Sequence, residues 1–349
     1  MKVLVGEISS YKAIVIARFI KKNYKDAIIY TYGKRRLSKF IRSKYSDKFF
    51  YIHPVFFESE LKAIIEEYEI DYFFPVINNS LSVLLKYKDK YGKSLDYIGD
   101  DKAYSILNNK SSLHVLAKSL GIKVPETYEN IQQAVIPCVV KPTNLSSAIG
   151  VEYIFKESEK SKISIKEYDN HLIQDYIKGT GVGYSFYCKN GIINTGYGHR
   201  RLAEYPISGG SSTYRTRYDN YKMHDIASKI VKKLNYTGFA MFEFKLTKDN
   251  ELYLLEVNPR IWGSINQGLE EGRINYFEEI LGVSTQMKSG EIVKNTYIPL
   301  VYLSIFHSVI RFKFGLLFLF LANIFINKSD VNLLIDPKGY LSMILRKLG

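Results

Sequence analysis

The sequence predicts a mixed α/β chain: an open parallel sheet first, two smaller sheet units with α+β character next, and a short apolar helical tail. Three observations carry that prediction. Residues 1 to about 104 alternate short apolar strands with helices. The run VIPCVVKPTNLSSAIGVEYIF reads as strand, small-residue loop, strand. The run FAMFEFKLTKDNELYLLEVNP reads as a β-hairpin.

In the N-terminal stretch Lys2-Val5, Ala27-Tyr32 and Tyr72-Val76 read as strands, and Tyr11-Lys22, Glu58-Tyr68 and Asn79-Asp89 as helices. No GxGxxG follows the first strand, so a dinucleotide site is not indicated. Residues 105–181 make a smaller unit. Asn108-Gly121 is a helix ended by Gly121 with Pro125 beyond, and Lys141 closes the next strand. Thr143-Gly150 is a loop of small side chains that can lay backbone amides near a phosphate, although a plain hairpin turn fits it as well. HLIQDYIKG adds a further strand that exits into Gly179-Gly183.

Residues 182–297 begin with strands at Tyr184-Cys188 and Ile192-Gly196 and carry a helix near Met223-Leu234. Between them, residues 196–217 read as a long loop with Arg200, Arg201, Arg215 and Arg217 around Ser208-Gly209-Gly210. Guanidinium groups suit carboxylate or phosphate, and a solvated basic loop fits the same residues. In the hairpin, taking Asp249-Asn250 as a two-residue turn sets Glu243 opposite Glu256, with Asn258 on the same face. Met241, Leu252 and Leu254 are the apolar neighbours expected there. Like charges facing each other in such surroundings are costly unless a cation lies between them. Mg²⁺ suits a few carboxylate oxygens joined by phosphate oxygens, and a hairpin with its carboxylates in water fits equally.

Composition narrows the classes. The chain has 349 residues, 46% hydrophobic and 24% charged, which suits two or three folded units and excludes whole-chain disorder. Its 49 basic against 35 acidic residues give a net charge of +14, favouring anionic small molecules or an acidic membrane surface. The charge is spread along the chain, so nucleic acid is not expected as a partner. Cys138 and Cys188 lack metal spacing and read as reduced core residues of a cytoplasmic protein. The start MKVLVGEIS lacks the apolar length of a signal peptide.

Taken in order, NNKSSLHVLAKSLGIKVP, CVVKPTNLSSAIGV, LIQDYIKGTGVGYSF, HRRLAEYPISGG and FEFK…LLEVNPRIWGS resemble the ATP-grasp superfamily, over most of residues 1–297. The last two look closest to the carbamoyl-phosphate-synthase-like ligases that accompany peptide and cell-envelope metabolism. The resemblance implies a pre-ATP-grasp domain over 1–104, a two-subdomain grasp fold over 105–181 and 182–297, and a C-terminal extension over 298–349. It implies ATP and Mg²⁺, with Mn²⁺ able to replace it. Lys110 and Lys141 match the lysines on the ATP phosphates, and Ser146, Ser147 and Gly150 match the loop over them. Gln174, Asp175, Tyr176 and Ile177 match the hinge, where backbone groups of Tyr176 and Ile177 would read the adenine edge. Glu243, Glu256 and Asn258 match the metal ligands. Arg260 and Lys141 match the catalytic cations at the transferring phosphoryl group. Arg200, Arg201, Ser208, Gly209, Gly210 and Arg217 would face the acceptor substrate. Two positions depart from the pattern: Asn109 replaces the usual Asp before the first lysine, and the hinge acid is Asp175 rather than Glu. No acid after Gly179 takes the place of the ribose-binding carboxylate.

The implied activity is ligation of a small-molecule carboxylate to an amine through an acyl-phosphate. A kinase or phosphotransferase on the same fold, or a membrane-associated nucleotide-binding module without turnover, are the other classes these residues allow. The tail keeps the membrane in play. Phe314-Ile326 is almost continuously apolar but only thirteen residues long, short of the ~20 needed to span a bilayer. It suits a buried helix, or one resting in a membrane interface with Lys313 and Lys328 at its flanks. Burial is the expectation, because an interfacial helix usually keeps a polar face. A homodimer built on this helix is a further partner class.

Overall fold

The computed structural model describes residues 1–35, 40, 42–143, 150–162, 170–206, 210–270, 275–283 and 295–348. The chain opens with β1 (Lys2–Val5), α1 (Tyr11–Asn23), β2 (Ile28–Gly33), β3 (Lys48–Tyr51), α2 (Phe57–Glu67), β4 (Tyr72–Phe74), α3 (Asn78–Leu85) and α4 (Lys88–Tyr91). The four strands form a parallel sheet in the order β3-β2-β1-β4. Strand β3 has no counterpart in the sequence reading, because KFFY lies half exposed at the sheet edge and shows no alternation. The helix expected over Asn79-Asp89 is broken between Leu85 and Lys88. Strand order reverses at β1 and β4, so the segments leaving their carboxyl ends, Ser9-Ser10 and Asn78-Asn79, flank an opening.

Next come α5 (Asp101–Asn108), α6 (Lys110–Ser119), β5 (Thr127–Tyr128), β6 (Cys138–Pro142), β7 (Glu152–Ile154) and β8 (His171–Asp175). Helix α6 is capped by Asn109, whose side chain accepts from the Ser112 amide at 3.0 Å. Strands β5 to β8 form a small antiparallel sheet, β5-β8-β6-β7, over a compact core that includes Cys138 and Val140. The large sheet follows with β9 (Thr180–Lys189), β10 (Ile192–Tyr205), β11 (Ser211–Arg217), α7 (Tyr221–Lys233), β12 (Gly238–Leu246), β13 (Leu252–Asn258), α8 (Ile265–Glu270) and α9 (Glu278–Leu281). It is completed by β14 (Asn295–Tyr297) and β15 (Asn327–Ser329), with α10 (Val301–Val309) and α11 (Gly315–Ala322) between them and α12 (Pro337–Leu348) at the end. The order is β13-β12-β9-β10-β11-β14-β15. Both cysteines are buried free thiols.

The long basic loop expected over residues 196–217 is instead a pair of strands. β10 continues to Tyr205, and β11 returns with Arg201 opposite Arg215 and Arg200 opposite Thr216. The charged residues hid the strand pattern, because their partners lie far away in sequence. Arg201 meets Glu243, and Arg215 is fully buried against the equally buried Asp330.

The tail is tied into this framework. Arg18 donates to the Asp330 carbonyl at 3.0 Å and to Asn266, Ser43 bonds Asp336, and Met343 of α12 packs into the core shared with α1. Burial of Phe314-Ile326, however, is not observed. Of α11 only Phe320 is buried, against Tyr214 and Tyr297, while Phe318, Leu321, Ile324 and Phe325 are exposed. The hairpin of α10 and α11 lies against β10 and β11 on one side, and among the described residues no element covers the other.

Candidate functional site

The site starts from a bulge in the β12–β13 hairpin. Glu243 does face Glu256, as the count from Asp249-Asn250 predicts, but the register slips by one between Glu243 and Phe244. The turn spans Thr247 to Glu251, with Asn250 at φ 58°, and the slip restores the pairing upstream. Two consequences follow. Leu252 and Leu254 turn into the core with Phe242 and Phe244, rather than flanking the carboxylates as expected; of the apolar neighbours named, only Met241 stays beside them. The bulged residue, Leu255, points its carbonyl toward His114 Nε2 at 2.9 Å and Lys141 Nζ at 3.4 Å. A carbonyl only accepts, so Nε2 of His114 carries the proton and Nδ1 accepts from Gln174 Nε2 at 2.9 Å. Burial and the neighbouring Lys141 hold this imidazole neutral, with its pKa pulled down to about 4.

Charged groups of both signs then converge on the Asn258 amide. Asn258 Nδ2 donates to Glu243 Oε1 at 3.1 Å and approaches Glu256 Oε1 at 3.5 Å. Lys110 Nζ lies 3.3 Å from Glu256 Oε2, and Arg201 pairs with Glu243 and, at 3.4 Å, with Glu204. Arg260 donates to Asn258 Oδ1 at 2.8 Å, Asn78 Oδ1 at 2.6 Å and the Ile261 carbonyl at 3.2 Å. The environments separate the two acids. Burial, outweighing Arg201, raises the Glu243 pKa, whereas for Glu256 the burial effect is overcome by Lys110 and Lys141 and the pKa falls. Burial also lowers Lys141, to about 8, against the pull of Glu256.

These groups line one cleft of about 1120 Å³, large enough for a nucleotide and a second small molecule. Lys141, Gln174, Asp175, Tyr176 and Ile177 border it from the small sheet, and Arg201, Gly210, Glu243, Glu256, Asn258 and Arg260 from the large one. The Tyr176 amide is engaged by the Pro137 carbonyl at 3.1 Å, and the Gln174 side chain is taken by His114. Lys110 reaches the cluster through its pairing with Glu256. Gly150, at φ +69°, has Pro142 where a Cβ would come within 3.0 Å. Ser146, Ser147, Ser208 and Gly209 lie outside the described residues. Arg200 and Arg217 are not brought to the cleft: Arg200 stacks over the Tyr218 ring, on the face opposite Arg201, and Arg217 pairs with Asp219. His114, Asn78 and the Leu255 carbonyl are the members that sequence reasoning missed. Only the bulge and the approach of the N-terminal sheet reveal them, and no local pattern encodes either.

The donor set suits a hard cation that shares its shell with a ligand. Among the described residues, no group of three or more His, Cys, Asp or Glu converges as a closed protein cage would require. Two carboxylates fit Mg²⁺, which is held through few protein oxygens plus phosphate oxygens and water; Asn258 would join them with its amide turned over, since Nδ2 faces the carboxylates and Oδ1 accepts from Arg260. The surrounding lysines and arginines suit the phosphates themselves.

The chain is similar to known proteins over part of its length. Residues 107–264 match the ATP-grasp domain family. A D-alanine–D-alanine ligase of Aquifex aeolicus is 25% identical over 190 residues, covering 47% of this chain and 62% of that enzyme. The same enzyme of Fervidobacterium nodosum is 29% identical over 236 residues, covering 62% of this chain and 72% of that one. Against the first curated relatives the chain spans 54–62% of their length. Among solved structures, biotin carboxylase of Campylobacter jejuni superposes with TM-score 0.63 at 15% identity, over 81% of this chain and 70% of that one. The L-amino acid ligase of Bacillus licheniformis gives TM-score 0.60 at 14% identity, over 80% and 73%. Residues 107–264 therefore carry an ATP-grasp domain, and the mixed α/β architecture is that of its structural neighbours.

Proposed function

We propose that this ATP-grasp chain is an ADP-forming, Mg²⁺-dependent ligase that joins a small-molecule carboxylate to an amine. The observation that carries this reading is the pair Glu243 and Glu256, joined through Asn258 and ringed by Lys141, Arg201 and Arg260 within a single cleft, with Lys110 paired to Glu256. Glu243, Glu256 and Asn258 would hold Mg²⁺, or Mn²⁺ in its place, which when bound neutralises charge on the nucleotide phosphates. ATP is a substrate. Its adenine edge is assigned to the Tyr176 carbonyl and the Ile177 amide at the hinge, and its phosphates to Lys110 and Lys141, with Ser146, Ser147 and Gly150 as further phosphate contacts on the same reading. An oxygen of the substrate carboxylate attacks the γ-phosphorus and ADP leaves. The amine nitrogen then attacks the acyl carbon, loses a proton, and phosphate departs. Arg260, fixed by Asn78 and Asn258, is positioned to stabilise charge in both steps.

The carboxylate substrate is placed at the end of the cleft formed by Ser9, Ser10, Lys12, Asn78 and Arg260, where the lining has no acidic side chain. The cleft's acids, Asp175, Glu204, Glu243 and Glu256, belong to the nucleotide side. Gly210 and Arg201 border the passage between the two ends, with Ser208 and Gly209 next in the chain. The partners on this reading are small molecules, with no nucleic acid. The protein is cytoplasmic and peripheral to a membrane surface through residues 298–349, and that segment is also the place for a homodimer contact. The test is an ADP-release screen with Mg²⁺, crossing pools of carboxylates with pools of amines. Release that needs both supports a ligase. Amine-independent release with a stable phosphorylated product would replace it with a phosphotransferase, and ATP binding without turnover in any pool would refute catalysis.

A further inference from the structure

We propose that the α10–α11 hairpin and the segment through Ile326 form a docking surface for an anionic lipid membrane, lying in its interface rather than crossing it. Phe306, Ile310, Phe312, Phe318, Ile324 and Phe325 are all at least half exposed, with Phe312 at 85% and Phe325 at 95%. These are large apolar side chains brought together by two helices that contact each other, and monomeric proteins seldom leave such a patch in water. One side of the hairpin is fixed to the protein through Val301 and Phe320, which pack with Ala203 and Tyr214. Helix α11, GLLFLFLA, has no polar residue to turn toward solvent. The protein body takes the place of the polar face that an isolated interfacial helix would need.

Charge decides the occupant. From Val301 to Lys328 the only fully charged side chains are Arg311, Lys313 and Lys328; there is no Asp or Glu. All three are exposed. A second copy of the chain would bring the same basic rim against itself, with no acid to offset it. Anionic headgroups complement that rim, while the aromatic rings enter the acyl boundary and the long basic side chains reach back to the headgroups. Length excludes a span. α10 has nine residues and α11 eight, about 12–14 Å each against a hydrocarbon core of about 30 Å, and no described helix is long and apolar enough to cross.

The test is co-sedimentation of the full chain with vesicles of phosphatidylcholine alone and of phosphatidylcholine mixed with phosphatidylglycerol, beside sedimentation velocity without lipid. Binding is expected to the mixed vesicles, weaker on the neutral ones and weakened by salt. Phe312→Asp with Phe325→Asp should abolish it. Lys313→Glu with Lys328→Glu should weaken it at least about tenfold. All four positions are exposed, and unchanged thermal melting confirms that the variants fold. Absence of binding to mixed vesicles would overturn the proposal. So would a dimer dispersed by the aromatic variants in a protein that ignores lipid, which would assign the patch to a second copy. Neither readout involves turnover, so the outcome is independent of the ligase reading.

Discussion

Lys141 should destabilise the protein that needs it. Its ammonium is buried, and desolvation lowers its pKa from 10.5 to about 8 despite Glu256 nearby. A displacement of that size, at ~1.36 kcal/mol per unit, makes the charged form cost the folded state about 3 kcal/mol relative to the unfolded chain. The sign follows from proton counting. Below about pH 8 both states hold the proton and the full cost is present. Between about 8 and 10.5 the unfolded chain keeps a proton that the folded one has lost, so stability rises with pH. Lys141→Met keeps the volume and removes the charge, but forfeits the bond to the Leu255 carbonyl, worth about 1 kcal/mol. The variant should therefore be more stable than the parent by about 2 kcal/mol at pH 7, with the gap closing toward pH 10, while losing turnover. Urea denaturation followed by the single tryptophan, Trp262, which is fully buried, reads this directly. A variant less stable at pH 7, or a gap that does not change with pH, would refute the reasoning.

Three further outcomes follow from the same structure. Asp330→Asn should cost about 3–5 kcal/mol by leaving the fully buried Arg215 without its counter-charge, whereas Arg215→Met with Asp330→Leu should recover most of it; denaturation midpoints of both variants check this. Gly183→Ala puts a methyl 2.4 Å from His199 Cε1, so it should lower stability by about 1–3 kcal/mol, measured by melting temperature. Glu256→Gln should reduce Mg²⁺-dependent ADP release by roughly two orders of magnitude or more with its thermal melt preserved; wild-type release rates in the variant would remove Glu256 from the site.

Much of the fold could be read locally, and the site only in part. Strands β1, β2 and β4 and helices α1 and α2 follow from apolar periodicity, and Glu243 opposite Glu256 follows from counting outward from a turn. That count succeeded through two offsetting departures, a longer turn and a bulge at Leu255, and the bulge is what a period of two cannot anticipate. Arg200 to Arg217 looked like a loop because charge usually means solvent. Here Asp330, 115 residues from Arg215, and Glu243, 42 from Arg201, supply the counter-charges, and sequence distance conceals such pairs. The tail misled in the opposite direction. FGLLFLFLANIFI reads as core, yet no second layer lies over it among the described residues. Its exposure is a property of the whole fold.

The central claim is that a substrate carboxylate is activated by phosphorylation in the cleft between Lys141, Glu256 and Arg260. Once the screen has identified a substrate pair, the direct measurement uses the carboxylate labelled with heavy oxygen and follows the phosphate released during amide formation by mass spectrometry. One labelled oxygen per phosphate, in step with ADP, is the predicted result. Unlabelled phosphate accompanying amide formation would contradict the account.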